Sequence, residues 1–396
     1  MDVLGLSLVL GITVVLLFLG VLERRLHERR LRSFRIRVHV NGTRGKSSVT
    51  RLIAAGLRAG GVRTVAKTTG TLPRLIHPDA VEEPIYRVGA PNVIEQLAAV
   101  RRARHLSAEA VVIECMALQP FLQWVSTSAL VQPTVGVITN VRADHLDVMG
   151  PGARDVALAL AGSIPQGVPT YTAEHKFGSV LEKVARDRKS QLTCVLPDDP
   201  VHAVSEAELA EFRYIEHAEN VALALRVCAD LGVSRDTALR GMQAARPDPG
   251  ALTISVCEGQ EGRFWLVNGF AANDPESSET VWELSKRRVP RARRHIALIN
   301  CRADRADRSV QLGEACVSWT PADHYLLCGT GSHFFRAAAQ RAGLDPVKVV
   351  SLEEDSPALL ARRLSYLAGE DGLVVGLGNI GGTGLALLRA LTGRAA

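Results

Sequence analysis

The sequence has 396 residues, of which 47% are hydrophobic and only 5% aromatic, and its formal net charge is +6. A chain of this length and aliphatic composition accommodates roughly two to three domains, which excludes a small disulfide scaffold and an intrinsically disordered protein. Its seven cysteines are odd in number and never spaced Cys-x-x-Cys, so we expect reduced cytosolic thiols, not disulfides or zinc ligands.

The first predicted element is an apolar helix at residues 3–22, a stretch without any charged side chain. Twenty helical residues at about 1.5 Å each span the roughly 30 Å of a bilayer's hydrocarbon core. Seven arginines then follow, against two glutamates, at positions 24, 25, 29, 30, 32, 35 and 37. This asymmetry predicts an N-terminus outside the cell and a cytoplasmic remainder. A cleaved secretory signal is the alternative, but its basic residues should precede the apolar run, where only Met1 and Asp2 stand.

The arginine cluster also indicates which kind of anionic partner the positive charge of the chain contacts. No aromatic residues that could stack on bases are interleaved with it, so we expect anionic membrane lipid and no nucleic acid as partner. Residues 1–34 are therefore predicted to be a transmembrane anchor with an Arg-rich juxtamembrane segment, in a single-pass protein of the cell membrane.

A strand, a glycine-rich loop and a helix are predicted next. The β-branched run at residues 35–40 leads into N-G-T-R-G-K-S-S at residues 41–48. Glycines let backbone N–H groups approach phosphate oxygens, Lys46 can reach the terminal phosphates, and the Ser47 hydroxyl can bind Mg²⁺. The usual G-x-x-x-x-G-K-[ST] pattern would place glycine at position 40, whereas this chain has Val40 and begins its shorter loop at Gly42. A glycine-rich turn that binds nothing is the alternative to this nucleotide site.

Apolar β-branched runs and helical patterns alternate through the rest of the chain. The runs predict buried parallel strands at residues 110–115, 134–140, 295–300, 324–329 and 372–378. Helical patterns lie at residues 92–105, 154–163, 218–231, 310–316, 332–342 and 356–368. The alternation predicts a doubly wound α/β architecture. It breaks at R-P-D-P-G, so we predict one α/β domain at residues 35–250 and a smaller one at residues 251–396, which opens with a strand pair.

Polar residues follow two of the predicted strands in the first domain. Glu114 ends one strand, and T-N-V-R-A-D-H-L-D at residues 139–147, which includes His145, follows the next. Strand ends of an α/β sheet collect ligand-binding groups, and Mg²⁺ prefers hard oxygen ligands. We therefore expect Glu114 and His145 near the phosphate loop; a chance strand-end glutamate and a solvated surface histidine are the alternatives.

In this order, the loop, the strand-end glutamate and D-H-L-D resemble the Mur ligase superfamily of ATP-dependent amide ligases, which includes folylpolyglutamate synthase. More narrowly, the apolar N-terminal segment together with five further stretches is similar to the ligase-subunit family of poly-γ-glutamate synthases (PgsB/CapB type). Those stretches are N-G-T-R-G-K-S-S-V-T-R-L-I, A-K-T-T-G-T, I-E-C-M-A-L-Q-P, F-A-A-N-D-P-E-S and N-C-R-A-D-R-A-D-R-S. The resemblance covers nearly the whole chain. It implies a P-loop-containing parallel-sheet ATPase domain of the Mur ligase central-domain type, followed by a Rossmann-like α/β C-terminal domain.

The resemblance also implies a reaction and its partners. ATP phosphorylates a γ-carboxylate of glutamate or poly-γ-glutamate, and the amine of another glutamate attacks the acyl phosphate to give an amide, ADP and phosphate, with Mg²⁺ as metal. Because one helix cannot export a polymer, we expect other membrane subunits of a synthase and export complex, and a homo-oligomer stays open. The alternatives are a Mur-like ligase for a peptidoglycan or folate carboxylate, and an ATPase motor subunit of a transport complex that makes no bond.

The family's nucleotide and metal residues correspond to positions of this sequence. Lys46 would hold the β- and γ-phosphates and stabilise the transferring charge, and Ser47, Glu114 and His145 would surround Mg²⁺ directly or through water. Arg305 would bridge phosphate and substrate carboxylate. The nucleotide contacts implied by the resemblance are Gly42, Thr43, Arg44, Gly45, Lys46, Ser47, Ser48, Asn220, Asp304 and Arg305. A plain helix N-cap at Asn220 and a solvated loop at residues 304–305 are the alternatives.

Other positions bear on the substrate and on a second metal. By resemblance, Thr68, Thr69, Thr71 and Arg87 line the substrate channel and receive glutamate carboxylates; turn-forming threonines and a surface arginine are the alternative. Ala159 stands where many Mur ligases carry a carbamylated lysine, so a second metal held that way is not expected. G-L-G-N-I-G at residues 376–381 matches a dinucleotide fingerprint, but no strand with an acidic residue about twenty positions on follows it, so we predict a tight turn.

Overall fold

The computed structural model describes residues 3–70, 72–87, 89–196, 202–212, 214–248, 251–259, 261–352 and 356–392. The chain divides into two compact units, which are residues 1–211 with 217–246, and residues 212–216 with 247–396. The division falls between Arg246 and Pro247, whereas the sequence pattern places the boundary at residue 250. Residues 212–216 group with the second unit, which the sequence pattern does not predict.

The N-terminal helix, α1, spans Val3–Arg32. Among the described residues it is the one helix long and apolar enough to cross a membrane, with a mean hydropathy of 2.7 over a window that has no buried part. Its last turns pack against the rest of the first unit, where Leu31 joins an apolar cluster that includes Val65 and Val111. The apolar part of α1 is therefore exposed, and the C-terminal part is fixed to the rest of the first unit.

One of the seven arginines after the apolar segment has a structural role instead of facing lipid. Arg37 is half-buried, and its guanidinium donates to the carbonyl oxygens of Leu31, Phe34 and Gln132. Cations beside the last carbonyls of a helix satisfy groups that have no partner within the helix. Arg37 thus fixes the end of α1 to the first strand.

The first unit is built on an eight-stranded sheet of order β4-β3-β2-β5-β1-β6-β7-β8. Its strands are β1 (Ile36–Asn41), β2 (Thr64–Lys67), β3 (Arg74–Ile76), β4 (Glu82–Pro84), β5 (Ala110–Glu114), β6 (Val135–Ile138), β7 (Thr170–Thr172) and β8 (Leu192–Cys194). Strands β3 and β4 are antiparallel to their neighbours, and the others are parallel. Val40 of β1 pairs with Glu114 of β5, and Asn41 pairs with Ile138 of β6, so three strands end side by side.

Helices cover the sheet of the first unit. They are α2 (Lys46–Ala59), α3 (Glu95–His105), α4 (Pro120–Val125), α5 (Leu146–Met149), α6 (Ala153–Ala161), α7 (Gly178–Asp187), α8 (Glu206–Ala210), α9 (Ala218–Asp230) and α10 (Arg235–Ala244). A π-helix, Ser126–Val131, continues α4. Ala159, at the expected position of a modified lysine, is buried in the apolar cluster of α6.

The second unit has a six-stranded sheet of order β13-β12-β11-β14-β10-β9, in which only β9 is antiparallel to its neighbour. The strands are β9 (Thr253–Gly259), β10 (Gly262–Asn268), β11 (Arg294–Cys301), β12 (His324–Gly329), β13 (Val349–Ser351) and β14 (Gly372–Gly378). The helices are α11 (Pro275–Arg288), α12 (Ala306–Ala315), α13 (Ser332–Arg341), α14 (Pro357–Ala368) and α15 (Thr383–Thr392). Separate apolar clusters contain Trp282, Leu312 and Phe335 on one hand and Leu360, Leu364 and Leu387 on the other, as in a doubly wound fold.

The predicted α/β fold class is confirmed, since strands form at all five predicted apolar runs and the strand pair opens the second unit. All seven cysteines are free, and six of them are buried. The segment G-L-G-N-I-G contains the last three residues of β14, of which Gly378 has φ +95°, and the start of the connection to α15. The sequence pattern did not predict the β3–β4 pair or the π-helix.

Candidate functional site

The glycine-rich loop connects β1 to α2 in a conformation that two glycines permit. Gly42 has φ +133° and Gly45 has φ +74°, a left-handed region that L side chains rarely adopt. A Cβ atom at Gly42 would overlap the Thr139 side chain, and one at Gly45 would lie 2.8 Å from Oδ1 of Asn220. The loop backbone is therefore packed against the end of β6 on one side and against α9 on the other.

Lys46 begins α2, and its ammonium group turns back over the loop. Its Nζ donates to the carbonyl oxygens of Gly42 (2.7 Å) and Thr43 (3.2 Å). The N-cap residue is Gly45, which has no side chain to satisfy the first N–H groups of the helix. A positive helix N-terminus and a positioned ammonium group together favour an anion at this loop.

Asn140, which the sequence analysis did not single out, holds the loop from the end of β6. Its Oδ1 accepts hydrogen bonds from Thr43 Oγ1 (2.8 Å) and from the Arg44 N–H (3.0 Å), and its Nδ2 donates to the Arg44 carbonyl (3.3 Å). The neighbouring Thr139 hydroxyl also donates to that carbonyl, at 2.6 Å. The available signal in the sequence was a Thr-Asn pair directly after an apolar strand.

Replacing Asn140 with alanine is expected to weaken ADP binding by about tenfold, because three hydrogen bonds that shape the loop are lost at net values of about 1 kcal/mol each, partly replaced by water. Titration with a fluorescent ADP analogue measures the change. The matched control is Gln166→Ala, which removes an exposed amide elsewhere in the first unit and should leave the affinity unaltered. Equal affinities for all three proteins would contradict the assigned role of Asn140.

Glu114 lies at the end of β5 beside the phosphate loop and is buried. Its Oε2 accepts hydrogen bonds from the Ser47 hydroxyl (2.8 Å) and from the Thr69 N–H (2.7 Å). Burial raises the pKa of Glu114, against the opposing effects of the Lys46 charge and of these hydrogen bonds. A carboxylate and a hydroxyl at this separation are the hard oxygen donors that Mg²⁺ or Mn²⁺ accepts together with water and phosphate oxygens.

His145 follows β6 and takes an unusual backbone conformation. It has φ +50° as the N-cap residue of α5, a region that non-glycine residues rarely adopt outside specialised sites. Its Nε2 lies 3.9 Å from Oδ1 of Asp144, and Oδ2 of Asp144 lies 3.6 Å from Nη2 of Arg44. The D-H-L-D segment is thus linked to the phosphate loop through Asp144 and Arg44.

The predicted metal ligands do not form a closed protein cage. In the part of the chain that the structure describes, no group of three or more His, Cys, Asp or Glu side chains could hold a metal ion. Ser47 and Glu114 are in direct contact. Since Mg²⁺ at nucleotide sites usually keeps several waters and binds one or two carboxylates plus phosphates, this pair fits a metal that arrives with ATP.

Of the two adjacent threonines that the resemblance assigns to the substrate channel, one contacts Glu114 and the other has a different partner. Thr69 holds Glu114 through its backbone N–H, whereas Thr68 is fully buried and its hydroxyl accepts from the Arg74 N–H. The substrate role of Thr68 stays a prediction beside the turn-forming alternative. Thr71 lies outside the described residues.

Arg87 is engaged by a protein carboxylate. Its guanidinium forms two hydrogen bonds with Glu95, at 2.6 and 3.1 Å. The Nζ of Lys67, a buried residue that the sequence pattern did not single out, lies 3.4 Å from the same carboxylate. A substrate carboxylate that bound Arg87 would therefore have to compete with Glu95.

The remaining predicted nucleotide residues lie in different units. Asn220 is the third residue of α9, whose N-cap residue is His217, so the N-cap alternative for Asn220 is wrong. Its side chain lies against Gly45 of the loop.

In the second unit, Asp304 and Arg305 form a single 3-10 turn after β11, and Asp304 is exposed and ion-paired with Arg302 at 2.7 Å. This pairing lowers the pKa of Asp304.

Residues 40–157 match the Mur ligase middle domain, and residues 254–394 match the poly-gamma-glutamate synthase CapB C-terminal domain. The chain is 38% identical over 384 residues to the capsule biosynthesis protein CapB of Bacillus anthracis, covering 96% of this chain and 82% of that protein. It is 34% identical to PGA synthase CapB of Bacillus subtilis (strain 168), covering 95% of each. A bifunctional folylpolyglutamate synthase/dihydrofolate synthase with Mn, AMPPNP and L-glutamate bound shares the fold, with a TM-score of 0.68 over 93% of this chain and 92% of that one at 16% identity.

Proposed function

The chain belongs to the CapB family of Mur-type, ATP-dependent amide ligases that make poly-γ-glutamate, and we propose that its phosphate loop and Glu114 carry the ATP-dependent step. The observation that supports these roles is the meeting of Lys46, Ser47 and Glu114 at the adjacent ends of β1 and β5. Gly42, Thr43, Arg44, Gly45, Ser48 and Asn220 complete the proposed nucleotide site of the first unit.

Each residue has a separate part in the proposed reaction. An oxygen of the substrate γ-carboxylate attacks the γ-phosphorus of ATP, the bond to ADP breaks, and an acyl phosphate forms. The Lys46 ammonium stabilises the negative charge on the transferring phosphoryl group. The amine of the second glutamate then attacks the acyl carbon, a proton leaves the nitrogen, and phosphate departs as the amide forms.

Ser47 and Glu114 are proposed to hold a divalent cation, which when bound neutralises charge on the phosphate oxygens. The structural relative with bound Mn, AMPPNP and L-glutamate supports an adenine nucleotide, a divalent metal and glutamate as ligands, and we propose ATP and Mg²⁺. His145, Asp304, Arg305, Thr68, Thr69 and Arg87 keep their sequence-based roles as proposals. The ATP-binding domain at residues 35–250 and the C-terminal α/β domain at residues 251–396 are likewise kept as proposals.

We further propose that α1 anchors the chain in the cell membrane with both units in the cytoplasm. Support comes from the apolar, exposed segment of α1 and from the arginines that follow it. Capsule synthesis by the Bacillus anthracis relative agrees with a membrane location. Growing poly-γ-glutamate, anionic lipid and further membrane subunits for export are the proposed partners.

Isotope transfer tests the ligase chemistry against the two alternative functions. With ¹⁸O in the carboxylates of glutamate and poly-γ-glutamate, each new amide bond is expected to transfer one labelled oxygen into phosphate, measured by mass spectrometry. A motor subunit would hydrolyse ATP and release unlabelled phosphate. A ligase for another carboxylate would show no stimulation of ADP release by glutamate. Either of these results would overturn the proposal.

A further inference from the structure

Helix α4 presents one side chain inward and two aromatic side chains outward. Gln123 is buried, while Phe121 and Trp124 are 67% and 48% exposed. The two aromatic rings lie 5.9 Å apart between centroids and form one exposed apolar patch on the first unit. We call Phe121 and Trp124 the aromatic pair.

The aromatic pair is next to the end of the apolar segment of α1. A groove of about 490 Å³ runs between α1 and the continuous segment of α4 and the π-helix. Its lining on one side is Gly20, Glu23, Arg24, His27 and Glu28, and on the other side it includes Trp124 and Leu130. Gly20 lies two residues before Leu22, where the uncharged segment ends, and the Arg24 side chain is 81% exposed. Trp124 therefore lies at the level where a bilayer's hydrocarbon core would give way to headgroups.

The path of the chain shows which edge of the sheet lies on the side of Gly20, where the apolar segment of α1 ends. From Gly20, α1 runs past His27, whose Nε2 lies 2.8 Å from the Leu130 carbonyl, to Leu31 near Arg37 and the beginning of β1. β1 then returns, because Asn41 at its far end donates from Nδ2 to Oε1 of Gln123 at 2.8 Å. The carboxyl end of β1 is thus beside α4, on the side of Gly20, and its amino end is on the side of Leu31.

We propose that the aromatic pair lies in the lipid headgroup region as a second membrane contact and that the carboxyl edge of the sheet, with the phosphate loop, faces the bilayer. This inference rests on the proposed membrane anchoring by α1. Tryptophan is enriched where bilayer and water meet, and the exposed arginines beyond Leu22 suit the same anionic surface. The patch adjoins the membrane segment at its boundary, which favours lipid over a protein partner as its occupant. Polymer bonds would then be made on the membrane-facing side of the enzyme.

The fluorescence of Trp124 tests the contact in the full chain. The chain has four tryptophans, of which Trp282 and Trp319 are buried and Trp265 is partly buried. In vesicles of phosphatidylcholine and phosphatidylglycerol, lipids brominated near the headgroup are expected to quench the emission. Trp124→Phe should abolish most of this quenching, and the matched control Trp265→Phe should retain it. Equal quenching of wild type and Trp124→Phe would overturn the contact.

Bound nucleotide tests the orientation of the sheet. Six residues of β1 at about 3.3 Å each separate the two edges by roughly 20 Å. Energy transfer from bound N-methylanthraniloyl-ADP to an acceptor on lipid headgroups should therefore be strong. If the opposite edge of the sheet faced the bilayer, the loop would lie roughly 20 Å farther away and the transfer would be weak. Weak transfer would overturn the proposal. Fluorescence anisotropy shows independently that the nucleotide is bound.

Vesicle flotation separates this inference from the anchoring on which it rests. A chain that floats with vesicles but shows no Trp124-dependent quenching retains its anchor and loses the second contact. A chain that does not float overturns both. If Trp124 is shielded only in native membranes that contain other proteins and is not quenched in pure lipid vesicles, the occupant is a protein partner and the lipid proposal is overturned.

Discussion

Replacing Lys46 with alanine is expected to lower kcat/KM for glutamate addition by about 10³-fold or more, because a charge directed at the developing phosphoryl charge is lost. The Nζ of Lys46 is already held over the loop by the carbonyl oxygens of Gly42 and Thr43, so little rearrangement is needed to reach a phosphate. Its effect should therefore fall on turnover more than on ADP affinity, which also depends on the loop backbone. Steady-state ADP release with glutamate, together with ADP titration, measures both quantities.

The matched control for Lys46 is Lys183→Ala, which removes an exposed ammonium group from α7 in the same unit. This variant is expected to keep wild-type turnover, because an exposed lysine on α7 has no part in the proposed site. A second variant, Lys46→Arg, retains the charge but changes its shape, so it should recover only part of the activity. Activity of Lys46→Ala within a few-fold of wild type would remove Lys46 from the proposed mechanism.

The phosphate loop could be predicted from local sequence because its chemistry is local. Gly42 and Gly45 occupy backbone conformations that favour glycine, and Lys46 and Ser47 follow at fixed spacing on one helix. Glu114 could also be placed, because the carboxyl ends of parallel strands meet at one edge of a sheet. The pairing of Val40 with Glu114 confirms that the two strands are neighbours.

Asn140 and Lys67 could not be assigned because their roles depend on contacts distant in sequence. Asn140 binds the loop 96 residues before it, and nothing in a Thr-Asn pair shows which loop lies opposite. Lys67 belongs to a four-residue strand, and its ammonium group is buried beside the carboxylate of Glu95, which lies on α3. The orientation of α1 relative to the sheet could not be predicted for the same reason. It depends on the contacts of Arg37 and Gln123 with residues that the sequence pattern does not identify.

Replacing Glu114 with glutamine is expected to raise the Mg²⁺ concentration needed for half-maximal activity by about 10- to 100-fold. Turnover at saturating ATP is expected to fall by at least the same factor. Glutamine keeps the size of the side chain and can still accept from the Thr69 N–H, but it removes the negative charge. Titration of the ligase activity with Mg²⁺, and of Mn²⁺ binding in the presence of ADP, measures the effect.

Stability distinguishes a metal ligand from a structural residue at position 114. Because burial raises the pKa of Glu114, burying its ionised carboxylate costs folding free energy, and that cost is absent in glutamine. The melting temperature of Glu114→Gln without metal should therefore equal or exceed that of wild type, while activity is lost. The control Glu182→Gln removes an exposed carboxylate from α7 and should change neither quantity. If activity declined only in proportion to a lowered melting temperature, or if the Mg²⁺ dependence stayed at the wild-type value, Glu114 would be a structural residue and the metal site would have to be sought elsewhere.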